Sequence, residues 1–239
     1  MTAGTKDVRT REEEETLHTR FAPFRSKMKT AGLPELMIHV FEHYYGQLVA
    51  GATGEIPNRE AQPVDTPPTY TALTDAHEEM GIANLPKAIM LKLNGGLGTS
   101  MGMDGSKSLL RVKEGKSFLD ITVLQLLALR KRYGVPVPLV LMNSFNTHEE
   151  SLAALNAHRE FNQDIPFGFL QHKEPKVWVE DLTPATWPDD PEKEWCPPGH
   201  GDIYAAMETS GIVETLLDAG YEFAFVSNSD NLGATLDPH

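Results

Sequence analysis

The sequence predicts an α/β fold in which a parallel β-sheet is covered by helices on both faces. From Lys87 onward, short hydrophobic runs alternate with segments of helical period. The runs are continuously apolar, which is typical of strands buried on both faces. A segment long enough for a helix lies between one run and the next, as the crossover between two parallel strands requires.

Each predicted element follows from its local pattern. The hydrophobic runs predicted to be strands are Ala88–Leu93, Pro138–Met142, Phe167–Gln171 and Glu222–Asn228. The segments predicted to be helices are Phe118–Tyr133, Thr147–His158 and Asp202–Leu217. Thr147 and Glu150 have the spacing of a capping box, and Asp202 is a residue type favoured as an N-cap. Ligands of open parallel sheets bind at the carboxyl ends of the strands, so the residues that follow the strands are the candidates for a site.

A different pattern precedes the sheet. Residues 1–10 are polar without periodicity and predict a tail, whereas Glu12 to Gly46 has helical period with a break at Gly32–Pro34. The stretch 51–70 holds four prolines, which predicts a surface linker. These patterns divide the chain into an N-terminal helical segment with its Pro-rich linker, residues 1–84, and an α/β domain, residues 85–239. Within that domain, the acidic stretch His172–Trp195 is predicted to be an exposed loop.

The composition argues against several classes of protein. The 239 residues include 34 acidic and 21 basic side chains, and the net charge of −13 disfavours binding to a nucleic acid backbone. No apolar run approaches the roughly 18 residues of a membrane span, and the polar start of the chain is unlike a secretory signal. A single cysteine, Cys196, excludes an internal disulfide and a zinc site built from cysteines. We therefore expect a protein of the reducing cytoplasm whose partners include neither a nucleic acid nor a membrane.

A glycine-rich loop follows the first predicted strand. Lys92–Gly102 contains four glycines, whose backbone N–H groups can approach an anion such as phosphate. The spacing matches neither the dinucleotide-binding fingerprint nor the Walker A motif, which counts against an NAD enzyme and a P-loop NTPase. Between Lys92 and Lys116, five basic and two acidic residues create a positive field that suits a polyphosphate. Lys107, which closes the loop, is the candidate phosphate contact, and a flexible turn with a solvated lysine is the alternative.

Four blocks of sequence carry a resemblance to a known family. The blocks are Lys92–Lys107 (KLNGGLGTSMGMDGSK), Pro138–Thr147 (PLVLMNSFNT), Trp195–Tyr204 (WCPPGHGDIY) and Ser227–Thr235 (SNSDNLGAT). In this order, over about residues 85–239, they closely resemble the UTP–glucose-1-phosphate uridylyltransferases of animals, plants and fungi. The usual bacterial enzymes of that name carry an arginine where this chain has Ser100. The resemblance implies a Rossmann-like, mostly parallel sheet of the nucleotide-diphospho-sugar transferase type.

The resemblance also implies an activity and a set of site residues. The activity is nucleotidyl transfer from UTP to glucose 1-phosphate, which yields UDP-glucose and pyrophosphate with Mg2+ as the cofactor. The residues that it places at the nucleotide are Leu93, Asn94, Gly95, Gly96, Met142, Gln171 and Gly199. It implies that Lys107 is the catalytic residue at the phosphates and that Asp230 supports the magnesium ion. It places His200 near the sugar phosphate and Asn228 near the sugar.

Several of these residues also have an ordinary structural explanation. Met142 fits a hydrophobic core as well as a contact with the base. Gln171 fits a capping or rim amide, and the residue types around Asn228 and Asp230 are those of a turn. Lys176 stands where the family usually has an arginine, and lysine lacks the planar fork with which arginine binds phosphate or carboxylate.

Members of the family continue well beyond the position that matches His239. We therefore expect the nucleotide-binding part of a catalytic domain, with weak binding of uridine nucleotide and little turnover. An uncovered sheet edge would allow copies of the chain to associate as a homo-oligomer. The alternatives are a UDP-sugar pyrophosphorylase of broader sugar specificity and a non-catalytic UTP-binding fragment.

Overall fold

The computed structural model describes residues 11–98, 102 and 105–239, and for residues 11–13 the backbone alone. Within these ranges the α-helices are α1 (Arg11–Thr30), α2 (Glu35–Val49), α3 (Asp75–Asn84), α4 (Phe118–Tyr133), α5 (His148–Asn156), α6 (Ile203–Thr209) and α7 (Ile212–Asp218). The strands in the same ranges are β1 (Ala88–Asn94), β2 (Arg111–Lys113), β3 (Lys116–Ser117), β4 (Leu139–Asn143), β5 (Gly168–Leu170), β6 (Glu174–Pro175), β7 (Trp195–Cys196) and β8 (Phe223–Asn228).

Contacts between residues divide the chain into two compact units. The first unit holds the described residues up to Gln62 together with Glu174–Cys196, and the second holds Pro63–Lys173 together with Pro197–His239. The linker after residue 62 and α3 therefore fall with the sheet, whereas the sequence pattern groups them with the N-terminal helices.

The first unit is built on a helical hairpin with an aromatic core. Gly32 has a φ of +74° and Pro34 directly precedes α2, so the chain turns where the sequence predicts a break. The side chains buried between α1 and α2 are Phe21, Phe24, Met28, Ile38, Phe41 and Tyr45. The ring centroids of Phe24 and Tyr45 lie 4.9 Å apart, a separation at which aromatic pairs attract each other. The helical pattern predicted from Glu12 to Gly46, with its break, is confirmed by α1 and α2.

The segment Glu174–Cys196 packs against this hairpin within the same unit. Its ends pair as antiparallel strands, β6 with β7. The side chains that pack on the aromatic core are Val177, Leu182 and Trp195. The ammonium of Lys27 on α1 forms an ion pair with the carboxylate of Glu194. The prediction of an exposed loop is right for much of the stretch, in which Trp178 and Trp187 are exposed. It is wrong for the two paired ends and for the side chains that pack on the hairpin, because these contacts join segments far apart in the sequence.

The second unit contains a four-stranded parallel sheet in the order β5, β4, β1, β8. β1 lies in the interior and pairs with β4 on one side and β8 on the other. Its side chains alternate between two cores: Met90 packs in the core that α4 covers, and Ile89 and Leu91 pack in the core that α6 and α7 cover. Helices on both faces confirm the α/β class and the parallel sheet that the hydrophobic runs predict.

Most predicted elements of the second unit are confirmed. The ends of the four sheet strands differ from the predicted ends by no more than one residue, and α4 has its predicted bounds. The third predicted helix is wrong as a single element, since Gly211 adopts a φ of +73° and separates α6 from α7. The sequence patterns did not predict α3 or the short antiparallel pair of β2 and β3.

The predicted capping box at the start of α5 is wrong. The hydroxyl of Thr147 donates to the carbonyl of Asn94 at 2.7 Å and accepts from the N–H of Ser144 at 3.0 Å. The carboxylate of Glu150 accepts from the backbone N–H of Ser106 instead of returning to Thr147. Both side chains therefore tie α5 to the segment that follows β1.

Two further expectations concern the surface of the chain. The proline-rich stretch 51–70 is exposed along its length, as the linker prediction requires. It holds the short 3-10 turn Asn58–Glu60 and the first residue of a second one, Tyr70–Ala72. None of the helices in the described part of the chain combines the length and the apolar character needed to cross a bilayer.

Gly168 of β5 has no room for a side chain. A Cβ placed on it would lie 2.6 Å from the backbone oxygen of Leu141, closer than van der Waals contact allows. We expect Gly168→Ala to lower the free energy of unfolding by about 1–3 kcal/mol, the usual cost of overpacking, in urea denaturation. Gly233→Ala is the control, because the nearest atom to its Cβ would be 3.5 Å away. Equal stabilities of Gly168→Ala and the parent chain would contradict this close approach.

Candidate active site

The carboxyl ends of the four parallel strands meet at one edge of the sheet. Leu93 of β1 lies opposite Met142 of β4 and Asn228 of β8. Gln171 directly follows β5, and its N–H donates to the carbonyl of Asn143 at 2.8 Å. Four residues that the sequence analysis placed at the nucleotide or the sugar therefore lie within one residue of the strand ends at this edge.

The start of the glycine loop lies against Gln171. A Cβ on Gly95 would come within 2.1 Å of the side-chain amide nitrogen of Gln171, so only glycine fits unless that amide moves. Gln171 is 6% exposed, which limits the freedom of its amide to reorient. The backbone of the loop and an amide donor and acceptor are thus held side by side.

Hydrogen bonds close the base of the glycine loop. The N–H of Lys107 donates to the carbonyl of Gly96 at 3.1 Å, and the N–H of Gly98 donates to the carbonyl of Gly105 at 3.0 Å. Glu150 of α5 binds the N–H of Ser106 between them. Residues 99–101 and 103–104, which include part of the predicted phosphate-binding loop, lie outside the described residues. These hydrogen bonds hold the base of the loop in place, and Lys107 therefore lies at the edge of the sheet.

Lys107 forms an ion pair with Asp230, the predicted magnesium ligand. The ammonium nitrogen lies 2.5 Å from a carboxylate oxygen, and both side chains are about one-third exposed, at 32% and 28%. The hydrogen bond from Lys107 holds the pKa of the Asp230 carboxyl below its ordinary value, and the charges of Lys107 and His200 act in the same direction. Asp230 is therefore ionised at neutral pH.

Lys92 has a different environment from the one that the sequence suggests. The sequence analysis counts it among the bases that face a polyphosphate, yet it is 1% exposed. Its ammonium donates to the carbonyls of Asn231 at 3.4 Å and Ala234 at 3.2 Å, in the turn that follows Asp230. Burial lowers the pKa of Lys92, and the nearby charge of Asp230 opposes that shift. Lys92 thus holds the turn that carries Asp230 instead of facing a ligand.

Besides Gln171, two of the predicted nucleotide contacts have buried side chains. Met142 is fully buried in the core beneath α6 and α7, which is the alternative that its residue type left open. The side-chain amide of Asn94 donates to Asn143 at 2.7 Å and to Ser151 at 2.8 Å. Asn94 therefore links β1, β4 and α5 through its side chain.

The loop before α6 brings a further group to the site. Gly199 has a φ of +94°, a conformation that favours glycine, and it accepts from the N–H of Asp202 at 3.3 Å. His200 is exposed and lies near enough to Asp230 for its charge to affect that carboxyl. The predicted capping role of Asp202 is wrong, because its carboxylate binds His172 and makes no side-chain cap to α6.

The chemistry available at this edge is anion binding with one carboxylate beside it. Within the ranges described, no three or more His, Cys, Asp or Glu side chains are arranged to hold a metal ion. Asp230 can supply one ionised carboxylate, and Mg2+ typically binds one or two carboxylates together with substrate phosphates. The donor set therefore fits a magnesium ion that arrives with a polyphosphate.

Comparison with known proteins identifies relatives of this chain. The family profile of UTP–glucose-1-phosphate uridylyltransferase matches residues 38–239. The enzyme of that name from Hordeum vulgare is 42% identical over 193 residues, which cover 77% of this chain and 41% of the relative. The probable enzyme of that name from Schizosaccharomyces pombe is 48% identical over 154 residues, which cover 64% of this chain and 30% of the relative.

Solved structures of the same kind of enzyme are also similar to this chain. The UDP-glucose phosphorylase of Trypanosoma brucei has a TM-score of 0.83 at 40% identity, and the match covers 92% of this chain and 47% of that one. A variant of the Leishmania major UDP-glucose pyrophosphorylase, solved in complex with UDP-glucose, has a TM-score of 0.82 at 40% identity, with 92% of this chain and 45% of that one covered. The chain spans less than half the length of each of these proteins.

The ion pair at the edge generates a test by titration. Because Lys107 lowers the pKa of Asp230, we expect Lys107→Gln to raise that pKa toward the ordinary value in a carboxyl-detected NMR titration. A carboxyl group whose pKa is lower in the folded state than in the unfolded state stabilises the fold at pH values above its unfolded-state pKa. This contribution disappears as the pH falls through the folded-state pKa. The stability difference between parent and variant should therefore shrink in acid. Lys113→Gln is the control, and an unchanged Asp230 pKa in Lys107→Gln would contradict the pairing.

Proposed function

Because this chain belongs to the UTP–glucose-1-phosphate uridylyltransferase family, we propose that it supplies the uridine-nucleotide-binding part of an enzyme that converts UTP and glucose 1-phosphate to UDP-glucose and pyrophosphate. The observation that carries the proposal is the convergence of three features at one sheet edge. These are the hydrogen-bonded base of the glycine loop, the buried amide of Gln171 against Gly95, and the ion pair of Lys107 with Asp230.

The proposed reaction is a direct displacement at phosphorus. A phosphate oxygen of glucose 1-phosphate attacks the α-phosphorus of UTP and forms the new P–O bond. The bond from the α-phosphorus to the bridging oxygen breaks, and pyrophosphate leaves with that electron pair. Positioning and charge stabilisation are then the work of the protein, and Lys107 is the group in this chain that stabilises negative charge on the phosphates.

The base is recognised where the segments that follow β1 and β5 meet at the edge of the sheet. Uracil offers one N–H donor beside two carbonyl acceptors, and the amide of Gln171 offers the complementary acceptor and donor. The backbone of Leu93, Asn94, Gly95 and Gly96 forms the surface on which base and ribose lie. Met142 supports this surface from the core, which fits its complete burial.

The phosphates and the sugar lie toward the loop before α6 and the end of β8. Gly199 lets the backbone approach the nucleotide, and the exposed His200 is available as a hydrogen-bond donor to the sugar phosphate. Asn228, exposed at the end of β8, is the proposed contact to the sugar.

Magnesium is part of the proposal as an ion that neutralises phosphate charge. Asp230 would provide its protein ligand, and the nucleotide phosphates would provide others. The ionised state of Asp230 supports this role. Since Lys107 pairs with Asp230 in this structure, binding of the charged nucleotide would draw Lys107 toward the phosphates.

A cytoplasmic location and self-association of the chain are further parts of the proposal. The first rests on the single cysteine of the chain.

A non-catalytic UTP-binding protein is the second candidate. The match to the Hordeum vulgare relative covers 41% of that protein, so catalysis by these residues alone is the point to test. Titration with UTP and assay of pyrophosphate release on the purified chain distinguish the two. Turnover favours the first candidate. Binding without turnover favours the second only if a longer product of the reading frame, where there is one, is inactive as well.

Lys107→Ala tests charge stabilisation at the phosphates. Loss of one preorganised electrostatic contact typically costs about 10²–10³ in rate, so we expect that loss in kcat with a smaller change in UTP affinity. The assay uses this chain, or a longer product of its reading frame, whichever turns over. Lys113→Ala is the matched control, since it removes an exposed lysine of β2. An unchanged kcat in Lys107→Ala would refute this role.

Gln171→Ala tests recognition of the base. We expect the parent chain to prefer UTP over CTP, because the cytosine amino group is a donor where uracil has an acceptor. The variant should narrow this preference by about 1–3 kcal/mol, the cost of leaving a buried polar group unsatisfied. Calorimetric titration with both nucleotides measures the difference, with Gln47→Ala on α2 as the control. Equal UTP-to-CTP affinity ratios in the variant and the parent would disprove the contact.

A further inference from the structure

A buried clamp joins two loops of the site. The carboxylate of Asp202 accepts the backbone N–H of His172 at 2.7 Å on one oxygen, and ring Nδ1 of the same histidine lies 2.8 Å from the other oxygen. The side chains are 1% exposed for Asp202 and 9% exposed for His172. A buried carboxylate needs donors to offset its loss of hydration, and a single residue supplies both of them here.

The far side of the imidazole is also engaged. Ring Nε2 of His172 lies 2.8 Å from the hydroxyl of Thr209, the last residue of α6. That hydroxyl is 2.9 Å from the carbonyl of Ala205 one turn earlier. Contacts at both ring nitrogens fix the orientation of the ring, so Nδ1 is held toward Asp202.

The clamp acts on the residues next to its two ends. His172 directly follows Gln171, whose N–H is bound to the carbonyl of Asn143 in β4. Asp202 ends the short turn that begins at Gly199, and its N–H is bound to the Gly199 carbonyl. The ring of His172 and the carboxylate of Asp202 therefore set the position of Gln171 relative to the turn that begins at Gly199.

We propose that His172 is a positioning residue for nucleotide recognition: through Asp202 it sets the distance between the group that reads the base and the turn that faces the phosphates. This inference rests on the proposed function, in which Gln171 reads uracil and Gly199 and His200 lie near the phosphates. The two ends of UTP then bind to parts of the chain that are already spaced to receive both.

The predicted signature is a loss of coupling between the two ends of the ligand. In His172→Ala the backbone N–H still binds Asp202, but the ring and its link to Thr209 are gone. We expect the affinity for UTP to fall about tenfold, the order of one charge-assisted hydrogen bond. The affinities for uridine alone and for tripolyphosphate alone should stay as in the parent, because each of these probes needs only one end of the site.

A conservative variant separates positioning from general damage. The amide nitrogen of an asparagine lies near the position of a histidine Nδ1, so His172→Asn should restore the bond to Asp202 and most of the UTP affinity. His39→Ala on α2 controls for loss of a histidine far along the chain from either loop. Calorimetry with UTP and NMR titration with the two partial ligands are made on the full 239-residue chain.

The outcomes are distinguishable. UTP binding by the parent with an equal affinity in His172→Ala overturns the clamp and leaves the proposed function intact. Parallel losses for uridine, tripolyphosphate and UTP indicate damage to the fold and also overturn the positioning role. Absence of UTP binding by the parent overturns the proposed function and this inference together. A selective loss for UTP that His172→Asn restores supports the clamp.

Discussion

The parallel pairing of β1 with both of its neighbours is the constraint on which the site depends. Because side chains alternate along a strand, a shift of one residue in either pairing would send each side chain of β1 into the opposite core, which is packed around a different side chain. Burial on both faces therefore fixes the register, and the register places Leu93 opposite Met142 and Asn228. The loops that leave these strands start from fixed points at one edge, which allows residues far apart in sequence to meet there.

The charges at this edge have two separate tasks. Lys92 is buried and holds the carbonyls of the turn after Asp230, whereas Lys107 is partly exposed and pairs with the Asp230 carboxylate itself. The first lysine is part of the scaffold and the second is available to a ligand. Under the proposed function, Lys107 is therefore the lysine of this edge that contacts the phosphates, in a chain whose net charge is −13.

Three polar residues that suit helix capping serve the site instead. Thr147 binds the end of β1, Glu150 binds the base of the glycine loop, and Asp202 binds His172. Each of them lies at or near a helix start, where capping is the usual role of its residue type. These side chains do not cap their helices, because the packed sheet brings other donors and acceptors close to them. A partly buried polar group then forms its hydrogen bond with that nearby partner.

The amino-acid sequence alone determined the α/β class, the four sheet strands, the two N-terminal helices with the break between them, and the family. Hydrophobic periodicity and the four blocks are local patterns, and they need no knowledge of contacts. The tertiary structure decided which lysine is buried, that residues 174–196 pack on the N-terminal hairpin, and that Gln171 lies against Gly95. It also decided the clamp between His172 and Asp202. These features depend on distances between segments far apart in the chain, and residue type and spacing do not encode such distances until the sheet register and the packing of the helices have set them.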